Sequence, residues 1–324
     1  MAQKAPGKAH RKGLSLIQVM DMFATEEAAR NWIESIIWPG GRVCPKCGSV
    51  HTSEASHKKM PYWCADCRSY FSVKTGTPMA NSKIPLRKWA IAIYLCMTNL
   101  KSVSSMKLHR DLNISQKSAW FMLHRIREAW MPKKGEENDP FSGPVEVDET
   151  YVGGLEGNKH AKKKLKAGRG TVGKTAVIGI RDRATGKTRA KVVPNVDGDT
   201  MRDFIAENAA PDAKVYTDDA RVYSGLPNDH EVVRHSVGEY LRGKVHTNSI
   251  ETMWSMLKRA HKGTFHKLSP KHLDRYVQEF AHKSDLRDLD TMVQMGVVVS
   301  RLFGRTLGYR GLIRDNGLSS MARR

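Results

Sequence analysis

Val145-Glu-Val-Asp148-Glu-Thr-Tyr151 is followed, further along the chain, by Val215-Tyr-Thr-Asp218 and by Thr247-Asn-Ser-Ile-Glu251-Thr-Met-Trp-Ser-Met-Leu-Lys258. The first two read as short apolar strands carrying an acid. The third reads as a helix with Ile250, Trp254 and Leu257 on one side. An unpartnered carboxylate in an apolar strand is costly, so Asp148 and Asp218 are read as functional. On the helix, Asn248, Glu251, Ser255 and Lys258 are spaced i, i+3, i+7 and i+10 and share a face. Three separate elements thus each offer a side-chain oxygen, the third from Glu251 or Asn248. Glu146 and Glu149 flank Asp148 and are assigned to the other sheet face. Asp219 is read as the N-cap of a short helix after the second strand.

The surrounding pattern supplies an architecture. Thr175–Arg181 reads as a strand, Ala184-Thr-Gly as a hairpin turn and Thr188–Val193 as the returning strand. Asp199 is expected to cap a helix running to about Asn208. Lys214–Thr217 and Glu231–Arg234 are further strands, and Asn248–His261 is a helix. Residues 270–283 are another helix, packing Leu273, Tyr276, Val277 and Phe280. This order predicts an α/β domain over 145–285 of RNase H-like (retroviral-integrase-like) type, with ligands at the carboxyl ends of the strands. In-line displacement at a phosphodiester is accelerated when two divalent ions, roughly 3.5–4 Å apart, hold the nucleophile and the leaving oxygen. Hard cations take oxygen ligands. The expected magnesium (or manganese) site therefore has Asp148 bridging both ions and Asp218 and Glu251 each holding one. Asn248 is the neutral alternative to Glu251.

The 324 residues carry 54 Lys and Arg against 33 Asp and Glu, a net charge of +21. Such an excess favours a polyanionic partner, although a solvated basic surface is the bland alternative. The stretch Gly157-Asn-Lys-His-Ala-Lys-Lys-Lys-Leu-Lys-Ala-Gly-Arg-Gly is too polar for a core. Its Lys162, Lys163, Lys164 and Arg169 are expected to meet phosphates and to order on DNA. It lacks the pattern of a nucleotide-binding loop. Lys258 and Arg259 are placed for phosphate contact beyond Glu251.

Ahead of this domain the chain divides by composition. Residues 1–13 form a basic arm, expected to be disordered until it meets a polyanion. Residues 14–38 read as helices, with Leu16, Val19, Met20, Phe23, Ala28, Trp32, Ile33 and Ile36 near one face and a break at Thr25. Residues 39–80 contain Cys44-Pro-Lys-Cys47-Gly and Trp63-Cys64-Ala-Asp-Cys67. Two CxxC pairs present four thiolates to one tetrahedral ion, so a zinc ribbon with structural Zn²⁺ is expected. Cys96, in an apolar run, is read as core. Residues 81–131 contain a helix over 85–98 and then a helix-turn-helix pattern. Its first helix is Ser102–Asp111, its turn is Leu112-Asn113-Ile114, and a longer helix capped by Ser115 runs to Trp130. Ala119, Met122, Leu123, Ile126 and Trp130 form the buried stripe. Gln116, Lys117, Ser118, Arg125 and an outward Arg127 are the candidate DNA contacts. Residues 132–144 read as a linker, and 286–324 as a helix near 288–303 with a basic tail.

The longest apolar run, Trp89–Met97, is too short for a membrane span, and the basic N-terminus lacks the apolar region of a signal peptide. Paired cysteines without a disulfide framework fit a reducing compartment. A cytoplasmic, nucleoid-associated protein is expected, with double-stranded DNA as partner and no membrane.

These motifs together resemble the zinc-ribbon DDE transposases of bacterial insertion sequences, the ISXO2-like group. The resemblance rests on the two CxxC pairs, Phe71-Ser-Val-Lys-Thr-Gly-Thr, Val145-Glu-Val-Asp148-Glu-Thr-Tyr-Val-Gly-Gly, Tyr216-Thr-Asp218 and His246-Thr-Asn248-Ser-Ile-Glu251 with Lys258-Arg. It covers about residues 25–285. It implies Mg²⁺-dependent cleavage at the terminal inverted repeats of a mobile element, transfer of the 3′ ends to target DNA, and a homo-oligomer on paired ends. In this group the third catalytic position is sometimes described as Asn. Two other readings compete: a DNA-binding regulator that has lost catalysis, and a nuclease acting on RNA–DNA hybrids. The acidic triad weighs against the first and the DNA-reading modules against the second.

Overall fold

The computed structural model describes residues 12–133, 139–154, 161–165, 170–233, 246–314 and 317–318. Most of the expected basic arm, much of the 157–170 loop with Arg169, and the end of the tail lie outside the described residues. The chain forms two compact units. One is built from Met1–Met131 and Leu286–Asp315, the other from Pro132–Asp285 and Asn316–Arg324.

The first unit opens with α1 (Leu16–Met22) and α2 (Glu26–Ile37). Ser15 and Gln18 close a capping box on α1, and Thr25 accepts from the Ala28 amide to start α2. Val19, Phe23, Ala29 and Ile33 are buried, but Leu16 and Met20, expected on the same face, are about 40% exposed at 40% and 41%. Three short antiparallel strands follow: β1 (Thr52–Glu54), β2 (Tyr62–Cys64) and β3 (Ser69–Phe71). Next, α3 (Leu86–Thr98) is buried along almost its whole length, as an all-round apolar helix must be. It has no cap of its own. Instead Glu26 of α2 accepts from the Leu86 and Arg87 amides, at 2.7 and 3.0 Å.

Then come α4 (Ser105–Leu112) and α5 (Gln116–Arg127). Asn113 turns the chain between them in a left-handed conformation, φ 45°, and Ser115 caps α5 through the Ser118 amide. The first of this pair begins at Ser105 and not Ser102, because Ser102 itself has φ 60° and Ser104 supplies the cap. Ala119, Met122, Leu123, Ile126 and Trp130 are buried.

The second unit holds β4 (Val145–Val152), β5 (Thr175–Asp182), β6 (Thr188–Val193), α6 (Gly198–Asn208), β7 (Val215–Asp218), β8 (His230–Val233), α7 (Asn248–Ala260) and α8 (Pro270–Leu286). A π-helical turn, His261–Phe265, extends α7. The sheet order is β6-β5-β4-β7-β8. β4, β5 and β6 are antiparallel neighbours, whereas β7 runs parallel to β4 and β8 parallel to β7. Val145, Val147, Ile178 and Ile180 pack with Met201, Phe204 and Ile205 of α6 on one face. Val152, Val177 and Ala190 pack with Ile250, Trp254 and Leu257 of α7 and Val277 and Phe280 of α8 on the other.

Two expected caps move. Asp197, not Asp199, caps α6 by accepting from the Thr200 amide at 2.9 Å; Asp199 lies in the first turn and pairs with Arg202. The turn after β7 is tied by Asp218, which accepts from the Ala220 amide, and the short helix that follows has Ala220 and not Asp219 at its N-cap. The described part of the expected linker is not free chain. Phe141 is buried among α6 residues and bridges to Ala209 in parallel.

Helix α8 also guards a sheet edge. Asp285 accepts from the Thr188 amide at 2.9 Å, Gln278 donates to the Ala190 carbonyl at 2.7 Å, and Asp274 accepts from the Val192 amide at 3.4 Å. These side chains meet outward-facing backbone groups of edge strand β6 that another strand would otherwise seek.

After α8 the chain rejoins the first unit. There α9 (Thr291–Leu302) puts Met295, Val298, Val299 and Leu302 into that unit's core, and α10 (Tyr309–Ile313) follows. The Thr291 amide donates to the Lys12 carbonyl at 3.1 Å, so the two ends of the unit are joined.

Candidate functional site

The acids occupy the carboxyl-terminal side of the parallel pair β4 and β7. Val145 and Glu146 register with Val215 and Tyr216, so counting on along both strands brings Asp148 level with Asp218. Asp148 is half-buried on the sheet face that α7 covers. Directly across the antiparallel pair stands Gly179. A Cβ there would lie 2.7 Å from Cζ2 of Trp254 and 3.0 Å from Cδ1 of Ile250. The missing side chain is what lets α7 come down on the sheet beside Asp148, one turn from Glu251.

Burial raises the Asp148 carboxyl, and the charges of Glu149, Asp218 and Glu251 raise it further, to about 8. Glu149, Asp218 and Glu251 thus each lie within electrostatic reach of Asp148. Oxygen donors whose mutual repulsion pushes a proton onto one of them suit a hard divalent cation. Glu251 is exposed, and its Oε1 accepts from the Thr247 hydroxyl at 3.0 Å. Asn248 is exposed on the same first turn of α7.

The two flanking glutamates differ. Glu149 does point to the α6 face, where Tyr223 donates to it; burial raises its carboxyl and the charge of Asp218 adds to the effect. Glu146 does not alternate away from Asp148. Two residues apart on a strand, they share a face. Glu146 is fully buried and meets Arg183, His246 and the first amides of α7.

In the first unit the four ribbon cysteines converge. Their sulfurs all lie within 4.8 Å of one another, with Cys44–Cys67 and Cys47–Cys64 each at 3.6 Å. Sulfurs bound at about 2.3 Å to tetrahedral zinc would stand roughly 3.8 Å apart, so the spacing fits. Among the described residues this is the one cluster so tightly drawn. Gly48, φ 79°, allows the first knuckle to turn, with its amide donating to the Cys44 carbonyl. The backbone amide of Cys67 lowers the Cys64 thiol, while the neighbouring Cys47 thiol is raised, so the four sulfurs share their protons as one group.

Residues 140–285 match the ISXO2-like transposase domain family, and residues 24–69 match the transposase zinc-ribbon domain family. An uncharacterized protein in transposable element ISH50 of Halobacterium salinarum is 30% identical over 276 residues, covering 80% of this chain and 90% of that protein. The chain belongs to the ISXO2-like transposase family. An uncharacterized transposase-like protein of Haemophilus influenzae is 32% identical over 96 residues, 29% of this chain and 76% of that protein. Among solved structures, a chain from the simian T-cell lymphotropic virus intasome in complex with PP2A regulatory subunit B56 gamma aligns at 14% identity. It covers 60% of this chain and 65% of that one with a TM-score of 0.28, too slight to argue from.

The basic residues of this transposase fall into three groups. Lys117 is exposed on α5, its ammonium 5.1 Å from the Tyr309 ring centre, and Lys258 and Arg259 are exposed on α7. Lys162 and Lys164 are exposed near a short 3-10 turn, while the side chain of Lys163 and all of Arg169 lie outside the described residues. Arg125 and Arg127 are corrections. Arg127 is 2% exposed. Arg125 is half-buried, lies 4.0 Å over the Phe121 ring, donates to the Ala80 carbonyl, and has its guanidinium shifted down by burial. Both turn inward because the helix is buried over more of its circumference than a single stripe. No described helix is long and apolar enough to cross a membrane.

Proposed function

We propose that this transposase cuts the ends of its insertion sequence and joins them to target DNA by phosphodiester transfer. The observation that supports the reading is that the charges of Asp218 on β7 and Glu251 on α7 both reach the half-buried Asp148 of β4. Sheet order, with an antiparallel triplet followed by a parallel pair, supports an RNase H-like (integrase-like) assignment for the second unit. In this reading Asp148, Asp218 and Glu251 would hold the divalent ions. Asn248, on the same turn as Glu251, offers a neutral oxygen in its place. When bound, a pair of Mg²⁺ or Mn²⁺ ions supplies charge neutralisation and an activated oxygen for in-line displacement.

The chain's own part is to orient DNA. α4 and α5 support a helix-turn-helix reading, with Gln116 and Lys117 at the exposed start of α5 facing the duplex. Lys258, Arg259, Lys162 and Lys164 hold phosphates near the carboxylates, joined by Lys163 and Arg169 of the same loop. Zn²⁺ on Cys44, Cys47, Cys64 and Cys67 is structural, since four thiolates complete its shell. The working form is a homo-oligomer on paired ends, acting in the cytoplasm on nucleoid DNA.

The test is Mg²⁺- or Mn²⁺-dependent cleavage of DNA carrying the gene's own flanks, by wild type, Asp148→Ala and Asp218→Ala. Nicking at the flank boundary by wild type alone supports the reading. Equal binding of the flank by all three proteins with no cutting by any would leave a DNA-binding regulator.

A further inference from the structure

We infer that Glu146 is a positioning residue, which sets where the first turn of α7, carrying Asn248 and Glu251, stands relative to Asp148. The inference rests on the proposed carboxylate site. Glu146 is 0% exposed. Its Oε2 accepts from the Ser249 and Ile250 amides, at 2.9 and 3.1 Å. Its Oε1 accepts from Arg183 Nε at 2.7 Å and lies 3.2 Å from His246 Nδ1. Arg183 in turn donates to the His246 carbonyl, just ahead of the helix, and stacks 4.1 Å over the Tyr216 ring of β7. One buried carboxylate thus joins β4, the end of β5 and the start of α7.

A helix start can be satisfied by its own N-cap side chain. Here the N-cap Thr247 makes no such bond, and its hydroxyl turns to Glu251 instead. The capping oxygen comes from a residue 103 and 104 positions earlier in the chain than the amides it meets. A buried charge is not an economical stabiliser, since an apolar replacement for a buried ion pair is often as stable. What a remote cap adds is location. Glu146 sits two residues before Asp148 on the same strand face, so strand acid and helix acid share one frame.

Glu26 provides the contrast within this chain. It caps α3 in the same way, through the Leu86 and Arg87 amides, at a helix whose first turn carries no acid. Capping by a distant glutamate is therefore structural at α3, and only at α7 does it also fix a candidate ligand.

The test is Mn²⁺ binding by the full-length zinc-loaded chain, read by electron paramagnetic resonance as both affinity and stoichiometry. Wild type is compared with Asp148→Ala, Glu146→Gln, Glu146→Ala and the control Glu26→Gln. Glutamine at 146 keeps the shape but turns an amide N–H toward groups that are themselves donors. We expect Glu146→Gln to weaken Mn²⁺ about 10–100-fold, the range for groups that orient metal ligands, at unchanged stoichiometry. Glu26→Gln is expected to lower the unfolding temperature and leave Mn²⁺ affinity as it was. Wild-type affinity in Glu146→Gln, or a fall in stoichiometry alone, overturns the inference while leaving the carboxylate site standing. Wild-type affinity in Asp148→Ala sinks the site reading itself. If Glu146→Ala loses its helical circular dichroism, Glu146→Gln decides.

Discussion

Gly179 governs how near α7 comes to the strand of Asp148. Gly179→Ala would put a methyl group into the Trp254 ring, against atoms that have no flexible end to swing aside. Overpacking of this kind costs about 1–3 kcal/mol. The expected outcome is a lower unfolding temperature together with a loss of flank cleavage larger than the loss of folded protein. Asp285 gives a pH test. Burial raises its carboxyl to about 7, although the Thr188 amide and Arg181 oppose the shift. In the unfolded chain an Asp loses its proton near 3.9. Between those values the folded state holds a proton that the unfolded state has released, so this group's contribution to stability falls as pH rises from about 4 to about 7 and is flat above. Asp285→Asn, which can still accept from Thr188, is expected to flatten that slope in thermal unfolding at pH 5 and pH 8. At this scale the sequence was unevenly legible. Asp148 and Asp218 stand out because an acid in an apolar strand is conspicuous in one dimension. Glu146 does not, because its partners are Ser249, Ile250 and Arg183, distant in the chain. Arg125 and Arg127 read as outward from a single apolar stripe, but α5 is buried over more of its circumference than that stripe.

Among the elements, the ribbon is the most legible part of the chain, since its ligand spacing is local and the metal's geometry demands it. The strands β1, β2 and β3 have three residues each, too few to hold a hairpin by themselves. Zinc binding supplies the difference, with apparent binding free energies of about 10 kcal/mol or more in small zinc domains. One zinc per chain is expected by metal analysis. Cys64→Ser, or treatment with a strong chelator, should abolish it and expose Trp38, which packs on Tyr62 and Phe71 from behind the strands, as a red shift in tryptophan emission. The elements whose type was readable but whose place was not are α9 and α8. A mildly apolar helix near residue 291 follows from periodicity, but its insertion beside α3 depends on a cavity made by other segments. Likewise, Asp274, Gln278 and Asp285 read as ordinary helix polar residues until β6 lies alongside them.

For the whole molecule, the net charge of +21 sets the terms of DNA binding. Phosphate contacts release counterions, so affinity for a duplex is expected to fall steeply with salt, on the order of 10³–10⁵ between 50 and 200 mM for six to ten contacts. Lys117→Ala should weaken binding to matched and unmatched duplexes alike and reduce the salt slope by about 1 if it touches phosphate. A loss confined to the element's own ends would instead assign it to base reading. Fluorescence anisotropy across a salt series separates the two.

The row of contacts from α8 to strand β6 has a practical meaning for anyone dividing this chain into pieces. A fragment ending before Pro270 would keep every strand of the sheet and every candidate ligand, yet it would uncover the outer backbone of β6. Such an edge recruits other edges. That fragment is expected to lose solubility on expression and to form intermolecular β-structure visible in the amide I band, whereas a cut placed beyond Leu286 should not. The outer boundary of a usable catalytic fragment is thus set by a helix that contributes no candidate ligand.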